Sequence, residues 1–388
     1  MKEDDNMLKV FEGFAGIGSQ RMALRNIGVD FEVVGISEVD KWALLAYDAI
    51  HNEQKDIKIP SKDEMLKEFE NKHIAYNFST NKLEIPKTDE DIIKLYKAHI
   101  RSKNYGDIRL INPKELPEID LFTYSYPCKN ISLLGGLGGL EEGSNTQSSL
   151  VWEIFKIIEN CKPKYLLMEN VKNLVGKKFK PSFDLICDKL DKLGYNNYWK
   201  VLNGKDFGVA QNRERVIMVS IRKDIDIDKS FKFSDKFPLE KTLKDYLEDS
   251  VDKKYYLPIE KVNSISHWKA FQKPFKRILG NNSICPTITA RGAGEEHSGM
   301  IILSESINET QDLHDIAQNI LINNDDYYKY NFRKLTPLES WRLMGFADDD
   351  FYKAKEIGGL NDTKLYERAG RGIVVPMLEE IFKNLFKD

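Results

Sequence analysis

The sequence predicts an α/β fold: a parallel sheet with helices on both faces, and a smaller, irregular β-rich region attached to it. Three observations carry this. Short apolar runs alternate with segments of helical spacing as far as Arg222. A glycine-rich turn directly follows the first apolar run. Beyond Arg222 the alternation stops, leaving only short β-like pieces such as TITA and MIIL.

Taken in order, Leu8–Phe11 reads as a strand, EGFAGIGS as a tight turn, and Ser19 to Ile27 as a helix. FEVVGISE is a second strand ending in the acid Glu38, and KWALLAYDAIH has helical spacing. The charged stretch Asn52–Asn104, with a helical pattern near Asp89–Lys103, reads as an insertion over the surface. Ile119–Tyr126 is an apolar strand running into Pro127-Cys128, followed by the glycine-rich LLGGLGGLEEGS. Ser148–Asn160 is a helix, KYLLMEN a buried strand, Phe183–Leu193 a helix and RVIMVSIR a strand. VPMLEEIFKNLF has the i, i+3, i+4 stripe of a core-packing helix.

Composition narrows the function. Of 388 residues 41% are hydrophobic, which is ample for a core and excludes global disorder. The balance of 58 basic and 61 acidic residues gives −3, so a uniformly basic coat is excluded and nucleic acid would need a local patch. Lys253–Gly294 is such a patch, with eight cations against Glu260. Alone it fits a solvated face equally well, but it abuts a Gly-rich loop. The start MKEDDN has acids where a secretory leader needs basic and apolar blocks, and no run approaches the roughly 20 apolar residues of a membrane span. None of Cys128, Cys161, Cys187 and Cys285 forms a CxxC pair, which argues against a zinc knuckle or disulfide scaffold and for reduced thiols in the cytoplasm; no metal is expected.

Four constellations carry chemistry. The turn Phe14-Ala15-Gly16-Ile17-Gly18 lets a ligand approach the backbone at a sheet edge, and Glu38 can hold a ribose hydroxyl. Its spacing, G-x-x-G-x-G over Gly13, Gly16 and Gly18, disfavours NAD and favours a nucleoside-type cofactor such as S-adenosylmethionine; a plain structural turn is the competing reading. Cys128 follows a strand and a proline, placed for exposure beside Lys129, whereas the other three cysteines read as small buried hydrophobes. Glu169 ends a buried strand, where a carboxyl is either solvated or raised in pKa for proton donation. In QNRER, alternation puts Arg213 and Arg215 on one strand face, suited to an anionic site or to exposed ion pairs.

These blocks, in this order, resemble the DNA (cytosine-5) methyltransferase family over most of the chain outside the Asn52–Asn104 insertion and the middle region. FAGIG, Glu38, GDI (Gly106–Ile108), Pro127-Cys128, Glu169-Asn170-Val171, QNRER, RKLTPLESWRLMGF and AGRGIVVPML each resemble a family motif. The resemblance implies a Rossmann-like S-adenosylmethionine-dependent methyltransferase sheet over 1–224, a target-recognition domain over 225–345 and a return to the catalytic domain over 346–388. It implies that Cys128 attacks carbon 6 of a flipped-out cytosine, that Glu169 contacts ring nitrogen 3 and the amino group, and that Arg215 supports the ring oxygen side. Arg213 would support the catalytic loop or backbone. Phe14 would pack on the cofactor, Glu38 take its ribose and Asp107 its adenine amino group, with Val39, Ile108, Pro127, Arg371, Gly372 and Ile373 completing the site. Ser132, Lys273, Lys276, Arg277 and Thr287 would touch DNA, and Arg291 is the first choice for a base-edge contact.

Lys129, Val39, Gln147 and Arg371-Gly372 depart from the family pattern. Arg371 has two readings: pairing with an acid such as Glu367, or facing the cofactor and repelling its positive charge; the room made by Gly372 favours the second. The implied partner is double-stranded DNA, met by a monomer in a bacterial or phage-infected cell, with a cognate restriction endonuclease as a further partner the family allows. The rivals are an RNA (tRNA) cytosine-5 methyltransferase and a DNA-binding relative with weakened catalysis. The long middle region favours DNA.

Overall fold

The computed structural model describes residues 7–77, 80–127, 150–258, 278–290, 302–303 and 332–387. Its centre is a six-stranded sheet of β1 (Leu8–Gly13), β2 (Phe31–Ser37), β5 (Leu121–Tyr124), β6 (Tyr165–Val171), β7 (Tyr195–Asn203) and β9 (Glu214–Arg222), in the order β2-β1-β5-β6-β9-β7. The first four strands are parallel, and β9 runs antiparallel to both its neighbours.

Alternation along each strand sends side chains to two cores. Val10, Leu121, Leu167, Ile217 and Val219 face one layer; Phe11, Phe122, Leu166, Met168, Val216 and Met218 face the other. The first layer holds α1 (Ser19–Ile27), α2 (Lys41–His51) and the C-terminal α10 (Val375–Phe386), which packs on α1. The second holds α5 (Val151–Cys161) and α6 (Lys180–Lys192). The helices on both faces and the C-terminal core helix are as expected.

Three expectations change. The sheet is not uniformly parallel, because only ten residues separate β7 from β9, too few for a helical crossover, so the chain returns beside β7 in the opposite sense. The strand β7, YNNYWKVLN, escaped the sequence reading; its burial alternates weakly because it is an edge strand. TITA (287–290) is not a strand: the pairing ends one residue earlier, where β11 (Cys285–Pro286) meets β8 (Gln211–Asn212).

The insertion is more than a surface feature. Its α3 (Lys62–Lys72) and α4 (Asp89–Arg101) bury Met65, Phe69, Ile92, Leu95 and Ala98 in the first core. A two-strand hairpin, β3 (Tyr76–Asn77) and β4 (Lys82–Leu83), joins them. Three further short strands, β10 (Ile278–Leu279), β12 (Ile302–Leu303) and β13 (Arg333–Lys334), form a small sheet. After it come α7 (Pro337–Arg342), α8 (Asp348–Tyr352) and α9 (Asp362–Arg371); Leu335, Leu338, Trp341 and Leu365 pack into the first core. Among the described residues no helix is long and apolar enough to cross a membrane.

Candidate active site

The glycine turn leaves β1 at its C-terminal end and wraps back into α1. Phe14, Gly16 and Gly18 all have positive φ, at 55°, 59° and 73°. The two glycines differ in surroundings. A Cβ on Gly16 would find a single atom, 4.0 Å away, whereas one on Gly18 would lie 2.4 Å from His51 Nε2 and 2.8 Å from the Tyr47 ring. The Gly16 side is thus an open cradle, backed by a crowded wall. His51 donates from Nε2 to the Ile17 carbonyl at 2.9 Å, and Ser19 Oγ accepts from Ile373 N at 3.2 Å, tying the turn to the segment after α9.

Glu38 faces this turn. Its Oε2 accepts from Gly16 N at 2.8 Å, and its Oε1 from Val39 N and Asp40 N at 2.9 and 2.8 Å. Asn104 grips its backbone from both sides. Burial, with the nearby Asp40 charge, pushes the Glu38 carboxyl up. A carboxylate has about four acceptor positions, so three backbone donors leave one for a ligand hydroxyl. Burial also pushes Asp40 up, but Arg368 and Arg371 outweigh it and hold its carboxyl well below the usual range. Phe14 is half-buried against the second core, and Ile108 is buried beside it in the same cluster.

Two expectations for this half are corrected. Asp107 is only 1% exposed and spent internally: it accepts from Arg109 N and Nε at 3.0 Å and pairs with His73 Nδ1 at 3.0 Å. Burial pushes its carboxyl up, but the Arg109 bonds bring it below the ordinary value. A buried carboxylate needs such partners, and Asp107 is already met by them within the chain. Arg371 pairs with Asp40 at 2.9 Å, whereas Glu367 pairs with Lys364 and Arg368. With its charge met by a carboxylate, the ground for expecting repulsion of a cofactor is gone.

The other half lies over β5, β6 and β9. Tyr124 is in register with Met168, so Glu169 stands one residue beyond the last paired position and Pro127 three. Asn170 Nδ2 donates to the Tyr126 carbonyl at 3.1 Å and locks the chain just before Pro127. Cys128 itself, with Ser132, lies outside the described residues, as do Lys129 and Gln147. Glu169 is 9% exposed and its Oε1 meets Arg215 Nε at 2.9 Å.

Arg213 does not share that face, because it sits in the break between β8 and β9. It is buried and donates to the carbonyls of Ile288, Gly370 and Gly372 at 2.8, 2.9 and 2.7 Å. It is therefore a positioning residue. Gln211, not singled out from the sequence, accepts from Ile288 N at 3.1 Å and donates to the Leu343 carbonyl at 2.8 Å. Thr287 is half-buried, its hydroxyl donating to the Asn212 carbonyl at 2.7 Å. Lys273, Lys276, Arg277 and Arg291 lie outside the described residues. Cys161, Cys187 and Cys285 are free thiols that burial pushes up, Cys187 to about 11, in keeping with small hydrophobes rather than nucleophiles.

His51, Tyr47, Asn104, His73 and Arg109 escaped the sequence reading. Gln211 left a signal as the first residue of QNRER; His51, Tyr47, Asn104 and His73 reach the site from distant positions.

A glycine turn and a carboxylate at the ends of β1 and β2, and a reversed strand between β6 and β7, define the fold of a methyltransferase. The crystal structure of the S. pombe Dnmt2 methyltransferase shares it, with a TM-score of 0.65 at 17% identity over 98% of each chain. The model of the C-5 cytosine-specific DNA methylase family matches residues 8–78 and 79–387, and the chain belongs to that family of DNA cytosine-5 methyltransferases. It is 41% identical to the type II methyltransferase M2.ScrFI of Lactococcus lactis subsp. cremoris, over 98% of this chain and 99% of that protein. It is 33% identical to the orphan methyltransferase M.SssI of Spiroplasma monobiae, over 97% of each.

Proposed function

We propose that this methyltransferase moves a methyl group from S-adenosylmethionine to carbon 5 of a cytosine flipped out of duplex DNA, acting as a monomer, with Cys128 as nucleophile. The observation that carries this is the Asn170–Tyr126 bond. It fixes the chain entering Cys128 beside Glu169, at the same edge of two adjacent parallel strands. S-adenosylmethionine, when bound, supplies a methyl group on a positively charged sulfur. The open cradle at Gly16 and the remaining acceptor position of Glu38 fit its ribose end. Phe14–Gly18, Glu38, Val39, Ile108, Pro127, Gly372 and Ile373 would hold it, while Asp107 braces the wall through Arg109 and His73.

Cytosine is a poor nucleophile at carbon 5, so its ring must first be activated. The Cys128 thiolate forms a bond to carbon 6, and the carbon 5–carbon 6 electron pair moves into the ring. Glu169, in its protonated form, donates its proton to nitrogen 3 and accepts from the amino group, so the negative charge that builds on the ring is neutralised. Arg215, whose Nε meets Glu169 Oε1 at 2.9 Å, holds that carboxyl in place and would support the ring oxygen side. Methyl transfer to carbon 5 would leave the donor sulfur as a neutral thioether; the carbon 5 proton then passes to a solvent base, its electron pair re-forms the carbon 5–carbon 6 double bond, and the sulfur–carbon 6 bond breaks to free the Cys128 thiolate. Neither group can reach a stacked base, so the ring must leave the duplex, at roughly a few kcal/mol. Residues 225–345 read as the target-recognition region, with Arg291 reading a base edge and Lys273, Lys276, Arg277 and Thr287 holding the backbone.

The test is adduct trapping. Duplex DNA bearing 5-fluorocytosine cannot lose its carbon 5 substituent as a proton, so a covalent complex should accumulate with S-adenosylmethionine and vanish in Cys128→Ala. An adduct that survives, or maps to Cys285, overturns the assignment.

A further inference from the structure

We infer that His73, at the end of α3 in the insertion, is the residue that recognises the cofactor's purine, its Nε2 accepting from the exocyclic amino group of adenine. This rests on the proposed S-adenosylmethionine site and names a specificity-determining residue for it. The sheet order fixes where the purine lies. The methyl group has to face Glu169 near the end of β6, whereas Glu38 follows β2 at the edge of the sheet. A ribose held at Glu38 therefore sends its base away from β5 and β6, towards the segment that continues the sheet beyond β2. That segment is Asn104–Asp107. Asn104 bridges to Ile36, and its Oδ1 accepts from both Glu38 N and Gly106 N at 3.0 Å. Ser37 Oγ donates to the Gly106 carbonyl at 2.6 Å.

The insertion is locked onto this segment. Asp107 N donates to the Lys72 carbonyl at 2.9 Å, and a Cβ on Gly106 would lie 2.1 Å from the same oxygen. The Asp107 carboxylate has no acceptor position to spare for a purine. Its roughly four positions are taken by Arg109 N, Nε and Nη2 and by His73 Nδ1. Burial pushes its carboxyl up and the Arg109 bonds bring it below the ordinary value, so it is ionised and accepts the Nδ1 proton. In a neutral imidazole, a proton on Nδ1 leaves a lone pair on Nε2. The ring plane is set as well, because His73 stacks on Tyr76 with centroids 4.9 Å apart and 11° between the planes. The His73 side chain is 33% exposed, and among the described residues its Nε2 has no hydrogen-bond partner. The Asp107–His73 pair thus carries the acceptor of a buried carboxylate outward by one ring, where an amino N–H meets it. A purine with a carbonyl oxygen in place of the amino group would set lone pair against lone pair there.

The experiment is equilibrium binding to the full chain, read by calorimetry at about pH 8, where a free imidazole is neutral. The two probes are S-adenosylhomocysteine and its analogue with unsubstituted purine in place of adenine, which lacks the amino group. The wild type should prefer the first by about three- to tenfold, the usual effect of one hydrogen bond. His73→Asn keeps a donor at the Nδ1 position, suits the left-handed backbone at φ 54° and removes the Nε2 acceptor. It should lose the preference while holding the purine analogue within about twofold of the wild type. His73→Gln, which can place an amide oxygen at the Nε2 position, should keep most of the preference. Equal weakening of both probes in His73→Asn would reduce the residue to a brace of the wall and overturn the inference. So would a preference that persists in that variant, or a wild type that holds both probes equally. A wild type that binds neither probe would instead strike the proposed cofactor.

Discussion

On the β1–β2 side of the active-site edge, carboxylates are held by donors drawn from across the chain. On the β5–β6–β9 side, among the described residues, the carboxyl of Glu169 meets the guanidinium of Arg215. Glu38 is gripped by the glycine turn and by its own following amides, Asp40 by α9, and Asp107 by the insertion. Glu169 has Arg215, placed beside it by strand pairing. The first side is a set of fixed walls around a binding cradle. The second holds the carboxyl proposed to act on the base through, among the described residues, its pair with Arg215. Binding surfaces gain from preorganisation in the ground state, whereas a group that acts on developing charge must keep acceptor and donor capacity for the transition state.

The largest effect that would break this contrast is on the second side. Glu169→Gln should lower kcat by roughly 10²–10³-fold, with cofactor affinity unchanged in equilibrium binding. A fall below tenfold would mean that Glu169 is only another structural partner of Arg215. The next effect tests the walls. Gly18→Ala should cost clearly more stability in urea unfolding than Gly16→Ala, because it adds a collision with His51 and Tyr47 to a left-handed-backbone penalty of about 1–2 kcal/mol that both share. Equal losses would show that the crowded wall yields freely.

A smaller effect concerns pH. Burial, then the nearby Arg21 charge, lowers the His51 pKa well below its usual value, so the folded chain keeps it neutral. His99 is shifted in the same direction by burial. A folded pKa below the unfolded one gives stability that is present above about pH 6.5 and lost as pH falls towards the folded value. The melting temperature should therefore drop between pH 7.5 and 5.5, and His51→Gln should make that drop shallower. An unaltered slope would remove His51 from the wall's energetics. The smallest effect is at Arg371, whose side chain is 56% exposed in its pair with Asp40. Such pairs contribute about 0–1 kcal/mol, so Arg371→Asn should leave S-adenosylmethionine affinity within about twofold. Marked tightening would revive the repulsion expected from sequence.

The sequence was informative where structure is local. The strand–turn–helix over Leu8–Ile27, the helix Lys41–His51 and the strand Tyr165–Val171 that carries Glu169 were readable because each carries its own period and punctuation. Motif spacing also placed Glu38 directly after a strand and Glu169 within two residues of one's end. What escaped depends on tertiary contact. Nothing in GDI shows that Arg109 and His73 occupy Asp107, since His73 lies 34 residues earlier in a stretch that looked peripheral. Arg213 and Arg215 alternate in sequence, yet the strand break at Arg213 sends the first into the protein and leaves the second at Glu169. The reversed β9 follows from loop length, which hydrophobic pattern alone does not weigh.

The supports of Ile288 have a thermodynamic consequence. Gln211 takes its amide and Arg213 its carbonyl, and the same Arg213 holds Gly370 and Gly372, where the chain turns towards the glycine turn. Gly370 lies so close to Thr289 that even a methyl group would sit 2.1 Å from its carbonyl carbon. The segment leading into the region read as target-recognising and the segment leading to the cofactor cradle therefore share one set of supports. Any free energy with which one ligand orders this junction is felt by the other. Linkage makes the exchange reciprocal: the factor by which cofactor tightens the hold on DNA is the factor by which DNA tightens the hold on cofactor.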